Sequence, residues 1–275
     1  MSRYRASNYW PLYLMLRRLF SAFSKNVPGT AVGSIPDGRR IYAVGDIHGR
    51  LDLLDRLLAQ IEADDAARAP ADTAVIFLGD LIDRGPDSAQ VVQRLLDLSL
   101  RSSKVRFLLG NHEEVFLKAL DGEKGAMSFF LRIGGKETVL SYGISEADYR
   151  AADYDSLTGM LQSQVPQSHI EFLSGFENLI QIGDYAFVHA GIRPGVPLAE
   201  QSPAALRWIR EEFLGHHGSL EKIIVHGHTI ADEVEERQWR IGIDTGAFAT
   251  GKLTAMAFEG AARWVLQTSE NEKDF

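Results

Sequence analysis

The sequence predicts an α/β protein built on two β-sheets, and two observations carry that expectation. Between Arg40 and Leu120 a short apolar β-type run, a glycine-flanked loop and a helical stretch recur three times. Such βαβ units imply parallel strands with function at their carboxyl ends. After residue 175 the helical period gives way to short apolar runs separated by turn signals, which implies a second sheet packed on the first. A third observation locates the chemistry. Five blocks that follow apolar runs are rich in metal-ligand residue types: Gly45-Asp46-Ile47-His48-Gly49, Gly79-Asp80-Leu81-Ile82-Asp83-Arg84-Gly85, Gly110-Asn111-His112-Glu113, His189-Ala190-Gly191 and Gly227-His228-Thr229.

The elements follow in order. Residues 1–37 read as a basic arm and linker: Arg3, Arg5, Arg17, Arg18 and Lys25 precede the first acidic residue, Asp37. Within the arm, Leu12, Met15, Leu16, Leu19, Phe20 and Phe23 fall at helical spacing. The run over 9–23 is too short and too charged for a membrane span of roughly 20 apolar residues. It is expected either to dock on the body or to make peripheral membrane contact beside its basic residues. Residues 24–38, rich in Gly, Pro and Ser, form the link. The body, 38–268, opens with a strand at 41–44 and a helix at 51–62. A strand at 73–78 and a helix near 87–99 follow, then a strand at 105–109 and a helix near 113–120. Residues 121–175 break the pattern and read as a variable helical cap. Runs at 178–182 and 185–188 flank Gly183-Asp184, the signature of a β-hairpin. Further strands are expected at 223–225, 239–243, 253–258 and 263–266, and 269–275 is a polar tail.

Composition excludes several classes. The 275 residues contain no Cys, which removes disulfides, thiolate ligands and a cysteine nucleophile. The formal net charge of −8 argues against a broad nucleic-acid surface. The expected location is the cytoplasm, with the inner membrane face as the site of any peripheral contact.

The blocks have a chemical logic. Asp46 and His48 lie two apart, so both side chains face one way if the strand geometry persists. Taken alone, Asp46 would more often cap the next helix. Oxygen and imidazole donors suit Mn, Fe or Zn. Asp80 adds a carboxylate able to bridge two ions. Arg84 is either a surface ion-pair partner or a guanidinium fork for phosphate oxygens. In Asn111-His112 an amide oxygen can ligate a metal while the adjacent imidazole stays free for proton transfer. His189 and His228 would complete the second ion's ligands. His226 is expected to be packed or to support the ligands, Glu113 to support them, and His169, His216 and His217 to lie on the surface.

With these blocks in place, the chain resembles the phosphoprotein phosphatases among the calcineurin-like metallophosphoesterases, nearest the compact bacterial and lambda-phage type. GDIHGR, GDLIDRG, GNHE, HAG and GHT carry the resemblance, over roughly residues 40 to 258. It implies a four-layer α/β/β/α sandwich of two mixed sheets. It also implies two divalent metal ions, with Asp46 and His48 on the first, Asp80 bridging, and Asn111, His189 and His228 on the second. His112 becomes the general acid, Asp83 its orienting partner and Arg84 a phosphate ligand. Trp208-Ile209-Arg210 resembles the segment that supplies a second phosphate arginine, which assigns Arg210, with Arg207 as the fallback; the alternative is an amphipathic helix whose arginines are merely solvated. The implied activity is a protein serine/threonine phosphatase, with dual specificity open, acting on a phosphoprotein or phosphopeptide. The alternative is a diadenosine polyphosphate or nucleotide hydrolase on the same scaffold. Those relatives tend to lack the Asp of the DRG block and to read GNHD, so Asp83 and Glu113 weigh toward the protein phosphatase.

Overall fold

A computed structural model describes residues 33–268 of the chain. The three βα units form as expected. Strands β1 (Arg39–Val44), β2 (Asp72–Phe77) and β3 (Val105–Phe107) run parallel, in that order. Helices α1 (Leu51–Ala66), α2 (Ser88–Arg101) and α3 (Asn111–Leu120) follow them in turn. Strands β4 (Ile180–Ile182) and β5 (Tyr185–Phe187) form the hairpin around Gly183. The second sheet continues through β6 (Ile223–His226), parallel to β5, and β8 (Arg240–Gly242), with the short β7 (Glu235–Glu236) at its edge.

The second half does not all go to the second sheet. Strands β9 (Thr254–Glu259) and β10 (Ala262–Gln267) return to the first, giving the order β10-β9-β1-β2-β3. β9 pairs antiparallel with β1, so both sheets are mixed.

Alternation along the strands generates four layers. Tyr42 and Val44 of β1 face the helices α1 and α2, while Ile41 and Ala43 face the second sheet. Tyr185 and Phe187 of β5 meet Phe258 of β9 in the inter-sheet core, with ring centroids 4.7 and 5.7 Å apart. Ala186 and Ile224 face outward, onto Leu198, Leu206 and Phe213. A strand whose two faces are both buried needs apolar residues at every position, which is why β1, β5 and β6 read as continuous runs.

Helices make up most of residues 121–175. They are α4 (Ala126–Phe130), a π-turn (Leu131–Gly135), α5 (Lys136–Ser141), α6 (Glu146–Ala151), α7 (Tyr154–Gln164) and α8 (Gln167–Ser174), of which α4, α5, α7 and α8 pack against α2 or α3. Two expectations need correction. His169 is buried, 3 % exposed, because its ring bridges the Tyr142 hydroxyl at 3.0 Å and Gln93 Oε1 at 3.0 Å across the cap and α2. The linker ends earlier than residue 37. Ile35 is 1 % exposed in the inter-sheet core, its N–H donates to the Gly260 carbonyl, and Ser34 N–H donates to Asp184. The apolar run at 9–23 lies outside the described residues. Among those described, no helix is long and apolar enough to cross a membrane.

Candidate metal centre

The loops that follow β1, β2, β3, β5 and β6 converge at one edge of the sandwich, and Asp46, His48, Asp80, Asn111, His189 and His228 are all buried there. Close backbone approach makes this possible. A Cβ on Gly110 would strike Asp80, both its backbone N and its carboxylate, and one on Gly227 would strike the Asp46 carboxylate. Glu113 anchors the Asp80 loop. Its carboxylate accepts N–H bonds from Asp80, Leu81, Ile82 and Gly110, at 2.9, 2.7, 3.3 and 3.0 Å. Burial and the neighbouring Asp80 push Glu113 up to about 7, against those four donors.

The backbone here is strained in a way the sequence does not announce. Among the described residues the non-glycine positions with positive φ are His48, Asp80, Asp83, Arg84 and His228. Each costs on the order of 1–3 kcal/mol, and such strain gathers at functional sites. It also overturns one expectation: His48, at φ 47°, has left the extended geometry, so strand alternation does not align it with Asp46. Nor does Asp46 cap a helix. Its carboxylate accepts the His228 N–H at 3.0 Å. Burial raises both Asp46 and Asp244, and the nearby Asp80 carboxylate adds to it in each case.

The side chains form two groups that meet at Asp80. His48, Asp80 and His112 make one, and Asp80, His189 and His228 the other. Asp80 Oδ1 lies 3.4 Å from His189 Nε2, whereas Oδ2 lies 3.7 Å from His48 Nε2 and 3.8 Å from His112 Nε2. The imidazoles are turned for ligation. His189 Nδ1 donates to the Leu78 carbonyl at 2.8 Å and His48 Nδ1 to Ile82 at 2.7 Å, which leaves each Nε2 as a lone pair. His189 Nε2 then faces Asn111 Oδ1 at 3.0 Å and His228 Nδ1 at 3.2 Å. Acceptors aimed at one another call for a cation between them, so the residues present fit a pair of divalent ions. Burial holds His48 down to about 3 and His228 to about 2, the neutral form a metal requires. His189 is raised instead, since Asp80 outweighs its burial.

His112 and Arg84 lie beside these groups. His112 Nδ1 donates to Asp83 Oδ2 at 2.6 Å, and Asp80 and Asp83 together hold its pKa above the usual value against burial. Arg84 Nη1 and Nη2 donate to His48 Nε2 and His112 Nε2 at 3.0 and 3.1 Å. Arg210 is exposed at the rim, 3.4 Å from Thr229 Oγ1 and close enough to help lower His228. The alternative of one amphipathic helix through this segment is not what forms: the helices Pro203–Trp208 and Glu211–Leu214 are separate, with Ile209 and Arg210 between them. Arg207, the fallback, is taken by Glu114 at 3.3 Å. His226 stays outside both groups; its Nδ1 donates to the Gly227 carbonyl and its ring packs on Phe213. His217 is exposed and His216 half-buried.

Two residues escaped the sequence reading. Asp244 had a signal, because Asp244-Thr245-Gly246 follows β8 as the other blocks follow their strands. Phe248 had none; its ring stands edge-on to His48 at 5.4 Å and its centroid lies 4.8 Å from the Arg84 guanidinium.

Residues 39–241 match the family model described as calcineurin-like phosphoesterase. The chain belongs to that family. Among curated relatives of this phosphoesterase, the symmetrical bis(5'-nucleosyl)-tetraphosphatase of Acidovorax sp. (strain JS42) is 32% identical over 184 residues, which is 67% of this chain and 51% of that one. The asymmetrical bis(5'-nucleosyl)-tetraphosphatase PrpE of Anoxybacillus flavithermus (strain DSM 21510 / WK1) is 26% identical over 244 residues, 78% of this chain and 89% of that one. This phosphoesterase therefore spans about half the length of the symmetrical relative and most of the asymmetrical one. The crystal structure of a proposed diadenosine tetraphosphatase superposes with a TM-score of 0.60 at 22% identity, covering 89% of this chain and 100% of that one, which bears out the fold with its two mixed sheets.

Proposed function

We propose that this phosphoesterase hydrolyses nucleoside polyphosphates of the dinucleoside tetraphosphate kind with the help of two divalent ions, Mn in the first place and Fe or Zn as alternatives. The metal reading rests on Asp80, whose two oxygens face two different groups of acceptors. The substrate class rests on the names of the relatives. That reverses the weight given to Asp83 and Glu113. Glu113 spends its carboxylate on backbone amides, so its presence speaks to loop anchoring and carries little information about substrate.

In this reading Asp46, His48 and Asp80 hold one ion, and Asp80, Asn111, His189 and His228 the other. Bound there, the pair supplies Lewis acidity toward phosphoryl oxygens and lowers the pKa of water enough to make a nucleophile near neutral pH. Arg84 neutralises phosphate oxygens through its fork, and Arg210 adds a second cation from the rim. His112, with Nδ1 committed to Asp83, delivers a proton from Nε2 to the leaving oxygen.

One observation favours a second reading. The 2.6 Å Asp83–His112 bond is an investment in general acid catalysis, which matters most for an alkoxide such as that of phosphoserine. The experiment is a panel on Mn-loaded protein: diadenosine tetraphosphate, a phosphoserine peptide and nitrophenyl phosphate. We expect the highest kcat/KM on the dinucleotide, abolition of activity by EDTA and its return with Mn. ADP as sole product, or ATP with AMP, identifies the bond cut. Higher kcat/KM on the phosphopeptide would replace this reading with the second. Full turnover by rigorously metal-free protein would end both.

A further inference from the structure

We propose that Thr138, a residue of the cap, is a positioning residue for the general acid, acting through Asp83; the inference rests on the reading of His112 as that acid. Thr138 lies on α5 and is fully buried. Its hydroxyl donates to Asp83 Oδ1 at 2.6 Å and accepts the Asp83 N–H at 3.0 Å. Ser88 Oγ accepts the same N–H at 3.0 Å and lies 3.0 Å from the Thr138 hydroxyl. The other Asp83 oxygen accepts from His112. A continuous chain therefore runs from the cap hydroxyl through both carboxylate oxygens to the imidazole.

Asp83 needs that support. It sits at φ 72°, outside any regular element, so no helix or sheet ladder fixes its backbone. A buried, β-branched residue in a helix is ordinarily a packing residue, and a valine would serve as well. Here the hydroxyl is spent on the one carboxylate oxygen that His112 leaves unmatched. Without it, Asp83 is free to turn about its side-chain bonds, and the imidazole loses its fixed direction. The same cap segment grips the next residue too. The carbonyl of Gly134, in the π-turn, accepts the Arg84 N–H at 3.0 Å, and Gly134 itself stands at φ 119°. Two adjacent residues with different duties are thus held by one piece of the cap.

The test uses the full chain loaded with Mn, carrying Thr138→Val, Thr138→Ser or, for reference, His112→Asn. Substrates are a phosphoserine peptide, with a poor leaving group, and nitrophenyl phosphate, with a good one. Thr138→Val is expected to lower kcat on the peptide by about tenfold, with little change in KM and a clearly smaller loss on the aryl ester. Thr138→Ser, which keeps the hydroxyl, should restore both. Adding Thr138→Val to His112→Asn should cost nothing further. Independently of turnover, the downfield proton resonance of the His112 Nδ1–H should shift or broaden in Thr138→Val and persist in Thr138→Ser. Equal losses on both substrates, no rescue by serine, or an unmoved resonance would overturn the assignment of Thr138. Should His112→Asn itself lose equally on both substrates, the acid reading fails, and the resonance still decides whether Thr138 orients the imidazole.

Discussion

Asp80 touches both halves of the centre, with His189 on one oxygen and His48 on the other. Asp80→Asn replaces one oxygen by a donor amide, so the mutant should lose both ions in an elemental analysis along with activity. His112 and Arg84 are separable by leaving group. His112→Asn should lose on the order of 10²-fold or more on a phosphoserine peptide and clearly less on nitrophenyl phosphate, with metal content retained. Arg84→Ala should depress both substrates alike, because phosphate binding is indifferent to what departs. Loss of a metal ion from His112→Asn would show that this imidazole ligates, as its place beside His48 and Asp80 allows. At this scale the sequence was informative about which residues meet: Asp46, His48, Asp80, Asn111, His189 and His228 are brought to one edge. It was silent on how. Four of the five side-chain-bearing positions with left-handed φ are Asp or His, types that adopt it more readily than most, but nothing in the pattern singles them out, and the reach of Phe248 to His48 leaves no trace at all.

Among the elements, the three βα units were legible because β1 and β2 are short continuous apolar runs and α1 carries the 3.6-residue period of a helix. β7 was not, since Glu235-Glu236 is a two-residue charged edge with no apolar signal. His169 was misread because burial of one histidine within a short cap helix depends on Tyr142 and Gln93, which are distant in sequence. The junction of β3 with α3 offers a sharp test. Gly110 precedes the helix with no room for a Cβ beside Asp80, yet its φ of −81° is open to any residue. Gly110→Ala should therefore act through collision and not through backbone preference. We expect it to lower metal affinity, read by calorimetry, more than it lowers Tm, because the strained Asp80 loop yields before the sheet does. Unchanged affinity would show that the loop relaxes without disturbing its ligands.

For the whole molecule, the α/β class and the second sheet were foreseen, but the return of β9 and β10 to the first sheet was not. Strand pairing over such separations depends on which edges remain open, and residue pattern alone does not record that. The boundary of the arm was also displaced, because a lone Ile35 between serine and proline looks like linker until the groove that buries it is known. Removing residues 1–32 should leave turnover of a small aryl phosphate within a few-fold. Ile35→Ala should cost roughly 2–5 kcal/mol in urea unfolding, as for other buried isoleucines. A loss below about 0.5 kcal/mol would mean that this position packs no better than a surface residue.

The placement of β9 against β1 bears on how the chain is made. Synthesis delivers β1 first, yet its second neighbour is β9, near the far end of the described chain. Until those residues leave the ribosome, β1 presents an unpaired row of N–H and C=O groups, the kind of edge that invites pairing with other chains. His189 and His228 also emerge long after Asp46 and Asp80. Half-made chains therefore carry an open sheet and an incomplete ligand set together. Chaperone demand and metal loading should both fall late, once β9 has been released.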